Sequence, residues 1–277
     1  MRGLSHCCRA RSRTSISRVF SVTLLRITGS DLEFHRTAGG PINDQFDRAF
    51  YDNPGMSACC SPKGYRWIFS EKRAHAEARR YRRRGLDPTS RRIADLLKQQ
   101  GVEGRTLLEV GGGIGAIQIE LLKAGITRAV NIELTPTYEG AAQTLLREAG
   151  LADRVERRVM DFAQATREAE AADVVIMNRV LCCYPDMPKL AGAAADHTRE
   201  VLLVSFPKER WWTRVVISLG DLALRVGRRQ FQIFLHSPDK IIATLERHGL
   251  KIVSNETSFF WQVACLRRTA LVSESCR

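Results

Sequence analysis

The chain has no apolar run long enough to cross a bilayer. Its best candidate, Val215 to Val226, is broken by Asp221 and Arg225, whereas a membrane-spanning helix needs about 18 or more apolar residues in succession. No transmembrane segment is expected, and any membrane contact would be peripheral. C-x-x-C spacing is also missing. The 8 cysteines include the neighbours Cys7/Cys8, Cys59/Cys60 and Cys182/Cys183, a pattern that does not build a zinc site. No metal is therefore expected, and reduced thiols in a cytoplasmic protein are. There is no internal repeat. Aromatic residues make up 7%, which argues against a surface built to stack nucleic-acid bases.

Acidic residues are scarce at one end. Residues 1–100 hold 20 Lys/Arg against 9 Asp/Glu, a net +11, while residues 101–277 hold 23 against 21, a net +2. The overall +13 therefore belongs to the leading third. It concentrates in residues 1–36, whose only acids are Asp31 and Glu33, and in Arg79-Arg80-Tyr81-Arg82-Arg83-Arg84. The first 36 residues have the Arg- and Ser-rich composition of an organellar transit peptide or of translated leader. The 79–84 cluster suits either a solvated helix face or an RNA contact, and nucleic acid is the less favoured partner.

What remains is a chain of 277 residues and 44% apolar content, enough to bury one large domain plus an extension. The expected division is a disordered basic extension over 1–40, a helical cap over 41–85, a main domain over 86–268 with an insertion at 208–238, and a tail over 269–277.

The segment Leu107-Leu108-Glu109-Val110-Gly111-Gly112-Gly113-Ile114-Gly115 reads as an apolar strand ending in an acid and a glycine turn that opens a helix. Glycine takes positive φ freely and has no Cβ to hold a ligand away from the backbone. Gly111-x-Gly113-x-x-Ala116 also satisfies the relaxed dinucleotide fingerprint. A carboxylate beneath the loop repels phosphates, however, and suits a sulfonium and an α-amino group. The run resembles the acid-x-Gly-x-Gly-x-Gly signature of the class I S-adenosylmethionine (SAM) methyltransferases.

Further strands follow. Arg128–Glu133 places a carboxylate 18 residues after Gly115, the distance at which an acid holds ribose hydroxyls, with Leu134 beside it. Val155–Phe162 ends in Asp161 and Phe162, and the resemblance implies an adenine contact for the former and a ring-flanking place for the latter. Asp173–Asn178 is a short apolar run of the kind buried on both faces of a parallel sheet. Glu109, Gly111, Gly112, Gly113, Gly115, Glu133, Leu134, Asp161, Phe162 and Asn178 are thus the candidate cofactor residues, because open α/β sheets bind ligands at strand carboxyl ends.

Before the sheet, Ser70 is placed to cap a helix over Glu71–Arg84 stopped by Gly85, and Asp87-Pro88 to open a second helix ending at Gly101. Such helices cover cofactor and substrate in small-molecule methyltransferases, which offers Tyr65, Trp67, Phe69 and Tyr81 a place at the site. After a fifth strand, Val201–Pro207, the 208–238 insertion carries Trp211, Trp212, Val215, Val216, Leu219, Leu222 and Val226 at helical spacing. It reads as a lid over the strand ends, with a membrane-surface helix or a dimer interface as competing arrangements. A helix over Asp239–His248 and two strands, Leu250–Asn255 and Phe259–Arg267, close the chain.

The fold expected is α/β, a Rossmann-like seven-stranded class I methyltransferase sheet of five parallel strands plus a terminal β-pair, with helices on both faces. Within it, Asn178-Arg179-Val180-Leu181-Cys182-Cys183-Tyr184-Pro185, Phe234-Leu235-His236, Leu245–Leu250 and Glu256–Phe259 resemble the magnesium-protoporphyrin O-methyltransferase family. That family has a His immediately before its Tyr-Pro pair, where this chain has Cys183. The resemblance therefore implies a relative acting on another small apolar or aromatic acceptor, with methylation at oxygen. Tyr184 and His236 are the candidate bases. The alternatives are an RNA or protein methyltransferase using the 79–84 cluster, or a non-catalytic SAM-fold assembly protein.

Overall fold

The computed structural model describes residues 62–164 and 166–269. The 1–40 extension, the first part of the 41–85 cap and the tail beyond Thr269 lie outside the described residues.

Three helices precede the sheet: α1 (Pro62–Ile68), α2 (Glu71–Arg84) and α3 (Pro88–Gln99). The bounds of α2 are those the sequence predicts. Gly85, at φ 68°, ends it with an N–H bonded to Tyr81 O, while Ser70 occupies the N-cap position without a side-chain capping bond. At α3 the cap is chemical: the Asp87 carboxylate accepts from the N–H groups of Thr89 and Ser90, and Pro88 fills the first helical position, where its missing N–H costs nothing.

The rest alternates: β1 (Thr106–Val110), α4 (Ala116–Lys123), β2 (Arg128–Glu133), α5 (Glu139–Glu148), β3 (Val155–Val159), β4 (Ala172–Asn178), α6 (Met187–Asp196), β5 (Thr198–Pro207), α7 (Trp211–Val226), α8 (Pro238–Arg247), β6 (Leu250–Thr257) and β7 (Trp261–Arg268). The sheet order is β3-β2-β1-β4-β5-β7-β6. The first five strands are parallel, and β7 inserts antiparallel between β5 and β6. β3 ends at Val159, two residues short of Asp161. Phe259 and Phe260 belong to the hairpin turn, where Ser258 N donates to Trp261 O at 2.8 Å, and not to the last strand as expected.

The central strands explain why they read as continuous apolar runs. Val175 and Met177 of β4 join Leu202 and Val204 of β5 in one core, under α6 and α8. Val174 and Ile176 join Leu203 and the apolar faces of α3, α4 and α5 in the other. Alternate residues of each strand are claimed by opposite layers, so neither face can be polar. β3 lies at an edge, and its Glu156, Arg157 and Arg158 mark a strand that is not covered in this way. Chain direction across the sheet reverses between β1 and β4, and this switch point opens a crevice at their carboxyl ends.

Candidate active site

A cavity of about 360 Å³ occupies that crevice. β1 delivers Glu109, Val110 and the glycine loop to its floor. Gly111, Gly113 and Gly115 all sit in the left-handed region, at φ 67°, 61° and 74°, which is why the loop needs glycine at alternate positions. Gly111 N donates to Ile132 O at 2.8 Å, tying the turn to the end of β2. A Cβ on Gly112 would lie 2.2 Å from Asn131 Nδ2 and 2.7 Å from Glu109 Oε2, so bare backbone is pressed against the buried acid.

Glu109 is 1% exposed. Burial, with the neighbouring Glu133 charge, pushes its carboxyl up to about 8, against the opposing pull of Arg157. Its Oε2 has no hydrogen-bond partner among the described residues. Glu133 is raised to about 7, again by burial first, although Arg157 and the Gly113 N–H pull the other way. Two protonatable acids beneath the glycine loop are suited to a ligand carrying positive charge, since such a ligand returns the electrostatic stabilisation that burial removed.

Nine of the ten expected cofactor residues line the cavity: Glu109, Gly111, Gly112, Gly113, Glu133, Leu134, Asp161, Phe162 and Asn178. Gly115 does not; it is the left-handed N-cap of α4. Asp161 is buried and accepts from Ala163 N at 3.0 Å. Asn178 is braced on both sides, donating to Ser90 Oγ at 3.0 Å and accepting from Ser205 Oγ at 2.7 Å.

The two candidate bases stand in different places relative to the cavity. The Tyr184 hydroxyl reaches both Asp161 oxygens at 3.0 Å, so it donates to a carboxylate and stands at the Asp161 end of the cavity. His236 is not on the cavity wall. Its Nε2 bonds to Tyr184 O at 2.9 Å, and burial lowers its pKa. That bond ties the ring to the Leu181–Tyr184 turn.

Tyr65, Phe69 and Tyr81 contribute to the wall, as expected of the preceding helices, whereas Trp67 is 48% exposed and outside it. The apolar stripe expected to lie over the strand ends does not line the cavity. Trp211, Val215, Val216, Leu219, Leu222 and Val226 are all exposed and none lines the cavity; only Thr213 and Ile217 of α7 are buried. The apolar stripe was legible, but which side of the helix meets the protein was decided by packing.

Several site residues carried no isolated motif. Arg157, from β3, donates Nη2 to Gly113 O at 2.9 Å and pairs with Glu139 at 2.8 Å; its only signal was charge inside a strand. Tyr138 lies against the loop, with ring atoms 3.4 Å from where a Gly113 Cβ would stand. Arg179 follows β4 at φ 62°, a backbone state that costs a side chain about 1–2 kcal/mol and that gathers at functional sites. It lies on the cavity wall, pairs with Asp87 and stands 5.0 Å over the Trp261 ring. Burial opposes ionisation of Asp87, but the Ser90 hydrogen bond and the Arg179 charge prevail and hold it below the usual carboxylate range.

The sheet order with an antiparallel β7 and the acid-floored glycine loop define a class I methyltransferase fold. The chain matches the model of the methyltransferase domain family over residues 78–255, and it belongs to that family. It carries a methyltransferase domain. Its structure is similar to magnesium protoporphyrin IX methyltransferase from Synechocystis PCC 6803, solved with bound SAH, at TM-score 0.56 and 18% identity, covering 82% of this chain and 98% of that one. An O-methyltransferase family protein from Burkholderia thailandensis follows at TM-score 0.54 and 20% identity, covering 73% and 64%. These likenesses are of fold. In sequence the chain is 30% identical over 94 residues to ribosomal protein L11 methyltransferase of Klebsiella pneumoniae (strain 342), covering 34% of this chain and 31% of that one. The chain thus spans about a third of the length of the curated relatives it matches.

Proposed function

We propose that the protein methylates a small apolar or aromatic acceptor, at oxygen. The observation that carries this reading is that one cavity is lined both by the glycine loop and by Tyr65, Phe69, Leu86 and Val180. Aromatic and aliphatic side chains there favour an apolar acceptor and exclude water from the reacting atoms.

Glu109, Gly111 to Gly113, Glu133 and Asp161 would hold SAM, which would supply an electrophilic methyl group on a sulfonium. The protein's own contribution is placement. Arg157 and Glu133 fix the loop, Asn178 is locked by Ser90 and Ser205, and Tyr184 steadies Asp161. Holding a nucleophile in line is worth up to ~7–11 kcal/mol in favourable cases. A carboxylate acceptor needs no base. For a phenol, Asp87, a wall carboxylate held below the usual range, is the candidate proton acceptor in place of His236.

A second reading, a protein acceptor, is favoured by the match to ribosomal protein L11 methyltransferase. One assay separates the two. Transfer of labelled methyl from SAM is followed with a panel of apolar phenols and carboxylic acids and, in parallel, with ribosomal protein L11. Turnover of panel members alone supports the small-molecule reading; turnover of the protein alone replaces it.

A further inference from the structure

We propose that α7 is a membrane-docking helix that lies on an anionic lipid surface, with its apolar stripe in the bilayer interface. Trp211, Val215, Leu219, Leu222 and Val226 recur at spacings of four, four, three and four residues. They form one stripe, and they are 77%, 48%, 60%, 56% and 77% exposed. Contiguous exposure of this kind on a folded helix marks an interaction surface.

Charge selects the occupant. Lys208, Arg210, Arg214, Arg225, Arg228 and Arg229 stand on or beside the helix, and the same stretch holds only Glu209 and Asp221 as acids. Glu209 pairs with Arg214, which cancels both charges, the Asp221 carboxylate accepts from Ile233 N at 3.0 Å, and Arg229 stands 4.1 Å over the Trp67 ring, so Lys208, Arg210, Arg225 and Arg228 carry the excess positive charge. A tryptophan-bearing apolar face flanked by arginines is the composition that seats a helix among phosphate headgroups. A second copy fits poorly, because a two-fold contact must be self-complementary and this one would oppose arginines to arginines. The first 36 residues of the chain, with seven arginines and two acids, share the same sign and are equally unsuited to cover it.

Chains of ring contacts link the start of the helix and the segment after it to residues of the cavity wall, so docking would orient the catalytic opening. At the start, Trp212 packs 5.8 Å from Phe260, Phe260 packs 5.2 Å from Trp261, and Trp261 lies under the Arg179 guanidinium. Past the end, Phe231 packs edge-on to Tyr65 at 5.0 Å. The docking does not depend on which acceptor is methylated, and SAM binding and turnover in solution would survive its failure.

The test is co-sedimentation of the full chain with vesicles of phosphatidylcholine alone and of phosphatidylcholine mixed equally with phosphatidylserine. Binding is expected to the mixed vesicles only. It should be abolished by the pair Leu219→Glu and Leu222→Glu, and weakened on the order of 20-fold by the pair Arg225→Gln and Arg228→Gln, since each cation near an anionic surface contributes about a factor of five. Circular dichroism and SAM titration check that each pair of changes leaves the fold intact. Absence of binding to mixed vesicles overturns the proposal. So does binding that survives the Leu219/Leu222 pair, and so does a dimer in sedimentation velocity that this pair dissolves.

Discussion

Arg157 and Glu133 hold the two polar backbone groups of Gly113 between them: the guanidinium donates to its carbonyl at 2.9 Å and the carboxylate accepts from its N–H. A residue with no side chain is thus held on both sides, by an acidic and a basic side chain from neighbouring strands.

Removing Arg157 should therefore loosen the loop and strand a charge. Arg157 is 5% exposed and Glu139 17% at the side chain, and deleting one partner of a buried pair costs about 3 kcal/mol. Arg157→Met should lower the thermal midpoint and weaken SAM binding together, and a second change, Glu139→Gln, should return part of the stability without restoring the affinity. Thermal melts and calorimetry on the four proteins of the cycle measure both.

Filling the loop should separate binding from folding. Gly113→Arg places a side chain in a left-handed backbone, at about 1–2 kcal/mol, and extends it from the cavity floor. The protein should stay folded with SAM binding lost in calorimetry. Glu133→Ala should weaken SAM binding by a different route, by releasing the Gly113 N–H, and unchanged affinity in both variants would contradict the site.

The raised acids predict a pH dependence with a definite sign. An unfolded carboxyl titrates near 4.5, but Glu109 and Glu133 hold their protons to about 8 and about 7 in the folded protein. Between pH ~5 and ~8 the folded state therefore binds more protons than the unfolded one, and these two groups make the ligand-free protein less stable as pH rises. SAM carries net positive charge and favours the ionised forms, so its affinity should increase through the same window, with proton release on binding. Calorimetry in buffers of different ionisation enthalpy counts those protons.

His236 tests the assignment of roles. If it only holds the Leu181–Tyr184 turn, His236→Asn should cost about 1 kcal/mol of stability and leave the rate of methyl transfer within a few-fold of the parent. Loss of a general base would instead slow turnover by ~10²–10⁴. A rate profile against pH, with the melting temperature alongside, distinguishes the two.

Local chemistry made much of this legible in advance. The bounds of α2, the Asp87-Pro88 start of α3, the buried β4 and the glycine loop all follow from signals within a few residues of one another. What misled was of a different kind. Asp161 lies beyond β3 because strand pairing stops at Val159, and no property of Asp161 itself reports that. The α7 stripe has the same period whether it faces the protein or solvent, so periodicity located the helix without orienting it. His236 and Tyr184 are chemically capable of proton transfer, but a backbone carbonyl and a carboxylate 52 and 23 residues away, respectively, claim their polar atoms.

The sequence by itself determined the alternation of strands and helices, the acid beneath the glycine turn and the cofactor class, because each depends on residues adjacent along the chain. Only the tertiary structure decided that β7 enters between β5 and β6, that Arg157 and Glu133 meet at Gly113, and that α7 turns its apolar side outward. Those outcomes depend on which distant surfaces pack best against one another, a competition that involves the whole molecule at once and leaves no signal in any one stretch of it.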